Sequence, residues 1–197
     1  MGPEVSILFR PLTENDLPHI FTWVNLPHIV DFYAQGEEYT YQEVIDNFHP
    51  DNIKKGWGIT PEYRASGFII VLNNHPIGFI QKYHLVPKQY PANIPWEDSM
   101  SFDLFVGEEH LLGKGLGTKI LATFIYREIF QKNPEIKFCY VSPKDYNERM
   151  IAVNKKLGFE FITTIEYLDQ DTDYLMRVDR NNFIRIWKEK YSDNIVT

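Results

Sequence analysis

The sequence has little of what would place a protein outside the cytoplasm or on nucleic acid. It contains one cysteine, Cys139, so no internal disulfide can form, which fits a reducing compartment. No apolar run is long enough to span a bilayer, and no basic-then-apolar leader opens the sequence. Positive charge is outweighed, since 20 Lys and Arg stand against 27 Asp and Glu, a net charge of −7. We therefore expect a cytoplasmic protein with no nucleic-acid or membrane partner, able to accept a cationic small molecule.

Metal-ligand spacing and internal repeats are also missing. The six histidines, at positions 19, 28, 49, 75, 84 and 110, follow no metal-binding pattern, so we predict no catalytic metal. A length of 197 residues and a hydrophobic fraction of 44% suit one domain with a sizeable core. We expect one compact α+β domain over residues 1–197, as a monomer or a weak homodimer.

The most informative stretch covers residues 101–118. Its first part alternates like a strand that is apolar on most of both sides, interrupted by one carboxylate, Asp103. A lone acid in such a strand is either a buried partner of a Lys or Arg or a functional group, and its closeness in sequence to a glycine-rich loop favours function.

Glycines at alternate positions, Gly113, Gly115 and Gly117, then open directly into a predicted helix over residues 118–130. Unpaired N–H groups at such a helix start attract anions. A Walker loop is excluded because five residues, not four, separate Gly107 from Gly113. The dinucleotide fingerprint is excluded because Thr118 stands where a glycine is needed.

Hydrophobic periodicity predicts the remaining elements. The first helix should bury Leu17, Ile20, Phe21 and Val24, and a later helix over 147–157 should bury Met150, Ile151, Val153 and Leu157. The other expected elements are a strand at 5–9, a hairpin of 67–73 and 77–85, a strand at 136–141, a hairpin of 159–168 and 174–178, and a terminal helix at 181–191.

Several polar and aromatic residues outside the central stretch are candidate substrate contacts, and each also has a structural interpretation. Asp31, Phe32 and Tyr33 could wall a flat cationic ligand, or one aromatic could pack inward beside solvated acids. Gln81 and Tyr83 share a strand face that could simply be solvated. The remaining two candidates are Trp96, which could instead plug the core, and Asp171, which lies in a run of turn formers.

Four ordered motifs resemble the GCN5-related N-acetyltransferases (GNAT), and most closely the aminoglycoside 6′-N-acetyltransferases, over nearly the whole chain. They are residues 28–33, residues 76–83, residues 112–119, and Asn147 followed by Gly158-Phe159. The third corresponds to the family's acetyl-CoA loop, Gln/Arg-x-x-Gly-x-Gly/Ala, with Leu112 departing from the polar first position. The resemblance implies the GNAT fold, a mixed and mostly antiparallel sheet that splays at the cofactor site, with helices on both faces.

The resemblance also implies roles for individual residues. Asp103 would be the base that accepts a proton from the substrate amine, which suits a carboxylate because an ammonium is not nucleophilic. Acetyl-CoA would be the cosubstrate, with its pantetheine arm on the backbone of Phe105 and Val106 and on Asn147. An N–H of one of those two strand residues could also bind the tetrahedral oxyanion. The pyrophosphate would be bound by Leu112, Gly113, Lys114, Gly115, Leu116, Gly117 and Thr118.

Two positions depart from the family. Asn154 stands where many members carry a tyrosine that protonates the departing thiolate, and Ser142-Pro143 replaces an aspartate before a proline that helps to bind the cationic sugar. The hypothesis is therefore acetyl transfer to an amine of a polycationic molecule, with the 6′-amine of aminoglycosides as the first substrate to test. The alternatives are another amine, such as a siderophore hydroxylamine precursor, or a non-catalytic acyl-CoA-binding module.

Overall fold

The structure is a computed structural model that describes residues 6–33, 36–56, 65–85, 94, 96–166 and 172–192. The described residues form two compact units. One unit contains those of Met1–His84 and Phe102–Leu112, and the other contains those of Leu85–Ser101 and Gly113–Ile195. The strand that carries Asp103 begins in the second unit and ends in the first.

The first unit contributes β1 (Ile7–Pro11), α1 (Leu17–Val24), α2 (Pro27–Val30), α3 (Tyr41–Phe48), α4 (Pro50–Lys54), β2 (Ala65–Leu72) and β3 (His75–His84). The strand shared by both units is β4 (Ser99–Val106). The second unit contributes α5 (Leu116–Phe124), β5 (Phe138–Val141), α6 (Glu148–Lys156), β6 (Glu160–Glu166), β7 (Thr172–Asp179) and α7 (Arg180–Lys190).

The seven strands form one sheet in the order β1-β2-β3-β4-β5-β7-β6. The β4–β5 pair is parallel, whereas the β1–β2, β2–β3, β5–β7 and β6–β7 pairs are antiparallel. The sheet is therefore mixed and mostly antiparallel. No helix within the described ranges is long and apolar enough to cross a membrane.

The expected hairpin of β2 and β3 is confirmed, with a tighter turn than the sequence indicated. Asn73 and Asn74 have φ angles of 48° and 68° and form the two-residue connection. Two-residue hairpin turns of type I′ need positive φ at both central positions, which asparagine tolerates. His75 and Pro76 therefore belong to β3, and the pairing register shifts by one residue between Ile70 and Val71 of β2.

The predicted apolar face of α1 is wrong at one position. Trp23 is buried with Leu17, Ile20 and Val24, whereas Phe21 is only partly covered. The core of the first unit thus receives the largest side chain of the helix, and Phe21 instead contacts the ring of Tyr41 edge-on. A capping box of Thr13 and Asp16 precedes this helix.

The sequence predicted one uniform helix after the glycine-rich loop, but the structure shows a change of helix type within it. Its first half is α5, and Ile125–Gln131 continues as a π-helix. Such wide turns leave backbone carbonyls at the end of the helix. Arg180 binds four carbonyl oxygens there, those of Phe130, Asn133, Pro134 and Ile136. This long-range contact is absent from the local pattern, so periodicity could not find it.

Candidate functional site

Asp103 lies half-buried on β4, where two side chains of β3 donate hydrogen bonds to it. Nε2 of Gln81 donates to Oδ2 at 2.9 Å, and the hydroxyl of Tyr83 donates to Oδ1 at 3.1 Å. Both donors are buried, so the strand face that sequence alone allowed to be solvated is an internal polar cluster. The structure therefore brings three of the predicted site residues together.

Burial raises the pKa of the Asp103 carboxyl above its ordinary value, although the hydrogen bonds from Gln81 and Tyr83 act in the opposite direction. Within the part of the chain that the structure describes, no lysine or arginine pairs with Asp103. The carboxylate is thus held in place by uncharged donors and has a raised affinity for a proton. Those are the properties of a general base.

The cluster also contains an unused acceptor. Oε1 of Gln81 is buried and has no hydrogen-bond partner among the described residues. A buried amide oxygen left in that state costs about 1–3 kcal/mol. A donor of a bound molecule, such as an amine or a hydroxyl, would remove that cost.

Aromatic side chains pack beside the strand end that follows Asp103. The ring of Tyr33 meets that of Phe105 edge-on, with centroids 4.9 Å apart, and stacks on Phe48 at 6.2 Å. Phe32 remains 44% exposed and Asp31 is also exposed. One aromatic of the adjacent pair packs inward, as one of the two interpretations required, and the other is partly exposed.

The glycine-rich loop has the backbone expected of an anion site. Gly113 and Gly115 have φ angles of 78° and 76°, and Gly115 directly precedes the first turn of α5. A Cβ added at Gly113, Gly115 or Gly117 would have no atom within 4 Å. The loop is therefore not filled by the described side chains, and the first N–H groups of α5 lie beside backbone that a phosphate can approach closely.

The other predicted loop residues surround this helix start. Lys114 is exposed, Leu112 and Leu116 are half-buried, and Thr118 is buried. Among residues 112–118, Lys114 is the one cation, and the backbone N–H groups at the start of α5 add to the anion-binding capacity.

The helix α6 carries two asparagines with different environments. Asn147 is the N-cap, and its Oδ1 accepts a hydrogen bond from the N–H of Met150 at 3.1 Å. Asn154 is 0% exposed, and neither Oδ1 nor Nδ2 has a partner among the described residues. The sequence predicted that Met150 and Val153 would be buried, but both are half-buried and Asn154 takes the core position.

Two further candidates remain. Trp96 is 5% exposed, and its ring centroid is 5.2 Å from that of Tyr140, so the packing favours the core interpretation. Asp171 falls outside the described residues. Nearby in sequence, Lys144 forms a nearly buried ion pair with Asp173, with Nζ 3.4 Å from Oδ1.

Cys139 behaves as a small core residue. It is fully buried, and burial raises the pKa of its thiol well above the ordinary value. It therefore lacks the thiolate character that a covalent intermediate needs. Among the residues with described positions, no group of three or more His, Cys, Asp or Glu side chains could hold a metal ion.

His28, in α2, contacts the end of β4, and sequence reasoning gave this residue no role. Its Nε2 lies 3.0 Å from the carbonyl oxygen of Val106, the last residue of β4. The only signal available in the sequence was its place at the start of the motif over residues 28–33. Its partner is 78 positions away, so no local pattern indicates the contact.

The chain is similar to known acetyltransferases. A family model described as the acetyltransferase (GNAT) domain matches residues 13–167. Aminoglycoside N(6′)-acetyltransferase type 1 of Klebsiella pneumoniae is 29% identical over 179 residues, which cover 87% of this chain and 83% of the relative. The same protein of Serratia marcescens matches equally well.

Solved structures agree with this similarity. Aminoglycoside acetyltransferase AAC(6′)-Ib in complex with coenzyme A superimposes with a TM-score of 0.74 at 27% identity, covering 91% of this chain and 98% of the other. The same enzyme with coenzyme A and kanamycin gives a TM-score of 0.73 at 27% identity, with 91% and 98% covered. The expected fold is thereby confirmed, and the chain belongs to the GNAT family of acetyltransferases.

Proposed function

We propose that the protein transfers the acetyl group of acetyl-CoA to a primary amine of a polycationic small molecule, and that the 6′-amine of aminoglycosides is such an amine. The observation that carries the proposal is the Asp103 carboxylate, which is half-buried, bound by uncharged donors alone among the described residues, and raised in pKa. The relatives that are similar over most of the chain are named as aminoglycoside N(6′)-acetyltransferases.

In this mechanism, Asp103 accepts one proton from the substrate ammonium, directly or through a water molecule. The lone pair of the neutral nitrogen then attacks the thioester carbonyl, so a C–N bond forms and the carbonyl oxygen becomes an oxyanion. Backbone N–H of the strand end, at Phe105 or Val106, would stabilise that charge. Collapse breaks the C–S bond, the electron pair leaves with the sulfur, and the second nitrogen proton is released.

The acetyl-CoA site is proposed at residues 112–118 with Asn147. The φ angles of Gly113 and Gly115 and the open space beside them support pyrophosphate binding. Asn147 uses Oδ1 to cap α6, and its Nδ2 could contact the pantetheine arm. The family model spans residues of both compact units, which supports the prediction of one acetyltransferase domain over 1–197.

The substrate site is proposed at Asp31, Phe32, Tyr33, Gln81 and Tyr83. The net charge of −7 favours a cationic ligand, and the unused Oε1 of Gln81 offers an acceptor beside Asp103.

The decisive experiment is the release of free thiol from acetyl-CoA in the presence of kanamycin or tobramycin. We expect release that depends on the aminoglycoside, and a product acetylated at the 6′-nitrogen, located by NMR. Paromomycin, with a hydroxyl at the 6′-position, is the matched control and should give far less thiol. Equal release with both compounds would contradict the assignment to the 6′-amine, and no release with any amine would contradict the enzyme.

A non-catalytic acyl-CoA-binding module is the second candidate, and one observation favours it. The family's thiolate acid is replaced by Asn154, which is sealed in the core and cannot donate a proton as an acid. If this candidate is right, CoA will raise the melting temperature while no amine releases thiol. Turnover with a measurable rate would instead mean that the thiolate leaves unprotonated or takes its proton from water.

A further inference from the structure

We propose that His28 is a positioning residue for acetyl transfer, because it holds the peptide that ends β4 and so orients the N–H of Val106 toward the thioester oxygen. The inference rests on the proposed function and identifies Val106, not Phe105, as the residue whose N–H donates to the oxyanion. The peptide group between Val106 and Gly107 is the one that His28 holds.

This peptide is bound on both sides. The N–H of Gly107 donates to the carbonyl of Ile77 on β3 at 2.8 Å. The carbonyl of Val106 belongs to the same planar trans peptide and therefore points in the opposite direction, away from β3. There it meets Nε2 of His28 at 3.0 Å. A carbonyl can only accept, so Nε2 carries the proton.

Two close packing contacts restrict the same strand end. A Cβ at Gly107 would lie 2.0 Å from Cδ1 of Trp23, so the indole rests directly on the backbone. A Cβ at Gly78 would lie 2.3 Å from the carbonyl oxygen of Phe105, so β3 approaches the strand equally closely. Both contacts need glycine, and neither supplies a polar partner for the carbonyl of Val106. His28 is the side chain that does.

The orientation of the Val106 N–H follows from this arrangement. Val106 lies in β4 and is extended, so its N–H faces the same edge as its carbonyl, away from β3. The bond from His28 fixes the plane of the following peptide and limits rotation about ψ of Val106. Without it, the carbonyl would need another donor, and the peptide would be held on one side alone, through the N–H of Gly107, so its plane would be less restricted. Oxyanion donors stabilise charge only when their direction is already set.

The test compares two variants of His28 of similar bulk. His28→Leu removes the donor and keeps packing volume, whereas His28→Gln can place an amide N–H near the same carbonyl. In His28→Leu the N–H of Val106 is displaced but still present. We therefore expect this variant to lower kcat about tenfold, while the KM for acetyl-CoA changes less than about twofold. His28→Gln should recover most of kcat. His19→Gln is the matched control, since His19 is exposed and its ring packs against Trp23, and it should leave kcat unchanged.

The dissociation constant of CoA and the melting temperature are measured on the same samples. A lower melting temperature with unchanged kcat in His28→Leu would reduce His28 to a tether for α2 and overturn the proposal. The proposal would also be overturned if kcat of His28→Gln were as low as that of His28→Leu, or if the loss of activity came wholly from weaker CoA binding. An inactive wild type that still binds CoA would instead count against the proposed function.

Discussion

Asp16 and Asp103 are carboxylates of the same compact unit, but the protein treats them differently. Asp16 receives a bidentate pair of hydrogen bonds from Arg10, at 2.7 and 2.9 Å, and two more from the N–H and hydroxyl of Thr13. Burial alone would raise its pKa, but these bonds and the charge of Arg10 outweigh burial and lower it. Asp103 receives two bonds from uncharged groups, and its pKa is raised.

The difference separates a structural acid from a reactive one. Asp16 has all of its charge compensated, so it stabilises the entry to α1 and has little affinity for a proton. Asp103 has no cationic partner among the residues that the structure describes, and burial disfavours its charged form. A protein retains such a group at a cost in stability, which points to a role in binding or catalysis.

Two glycines of the second unit repeat the contrast. Gly115 and Gly158 both have positive φ angles, 76° and 89°. A Cβ at Gly158 would lie 2.6 Å from Cδ1 of Ile186, whereas a Cβ at Gly115 would meet nothing within 4 Å. Gly158 is required by the packing against Ile186, whereas the space beside Gly115 is open to a ligand.

The largest expected effect is on turnover by Asp103→Asn. Loss of the base should lower turnover by about 10²-fold or more, with CoA affinity near that of the wild type. The amide can keep both neighbours, because Gln81 can turn its unused Oε1 toward the new Nδ2. Steady-state kinetics and CoA titration provide the measurement. Asp16→Asn is the matched control. An equal loss of turnover per folded molecule in both variants would contradict the distinction between a structural acid at position 16 and a reactive acid at position 103.

Sequence reasoning found Asp103 because a single acid in an apolar strand stands out. It also placed Gln81 and Tyr83 on one face, since alternation along a strand is a local property. It could not tell that this face of β3 lies beside Asp103 of β4, because the two strands are brought together by pairing between separate segments of the chain. The glycine-rich loop was likewise visible, since Gly113 and Gly115 are adjacent to the helix that they precede.

The misses also have physical causes. His28 was left without a role because its partner is a backbone carbonyl, which has no side-chain signature. Asn154 was placed outside the core because an amide normally avoids such positions. In α1, periodicity chose Phe21 rather than Trp23, which lies about 160° away from it around the helix, on the other flank of the face formed by Leu17, Ile20 and Val24.

The second prediction concerns the two glycines. Gly158→Ala should lower the free energy of unfolding by about 2–3 kcal/mol, from backbone strain and the contact with Ile186. Gly115→Ala should cost about 1 kcal/mol, since only the strain applies. Its larger effect should be on ligand binding, with CoA affinity reduced about tenfold through the new methyl group. Urea unfolding and CoA titration of both variants measure this. Unchanged CoA affinity in Gly115→Ala would discredit the loop as the pyrophosphate site.

The third prediction measures the ion pair of Asp16 directly. Asp16→Asn should lower the free energy of unfolding by about 1–2 kcal/mol, because the new Nδ2 opposes the guanidinium of Arg10. The value is modest because the side chain of Arg10 is 45% exposed and solvent screens the pair. A double-mutant cycle with Arg10→Gln isolates the coupling by urea denaturation. Zero coupling would mean that the cap on Thr13, and not Arg10, accounts for the role of Asp16.

The smallest effect is the pH dependence of stability, and the two acids should show it with opposite signs. Asp16 has a lowered folded-state pKa, so its stabilisation is present above the unfolded value of about 3.9 and is lost as pH falls through the folded value. Asp103 has a raised folded-state pKa, so the folded protein binds the extra proton and loses stability as pH rises from about 3.9 through the folded value. The stability of Asp103→Asn relative to wild type should therefore increase across that window and level off above it. Urea midpoints taken from acid to neutral pH would show this rise, and a flat difference would mean that the charge of Asp103 is compensated after all, like that of Asp16.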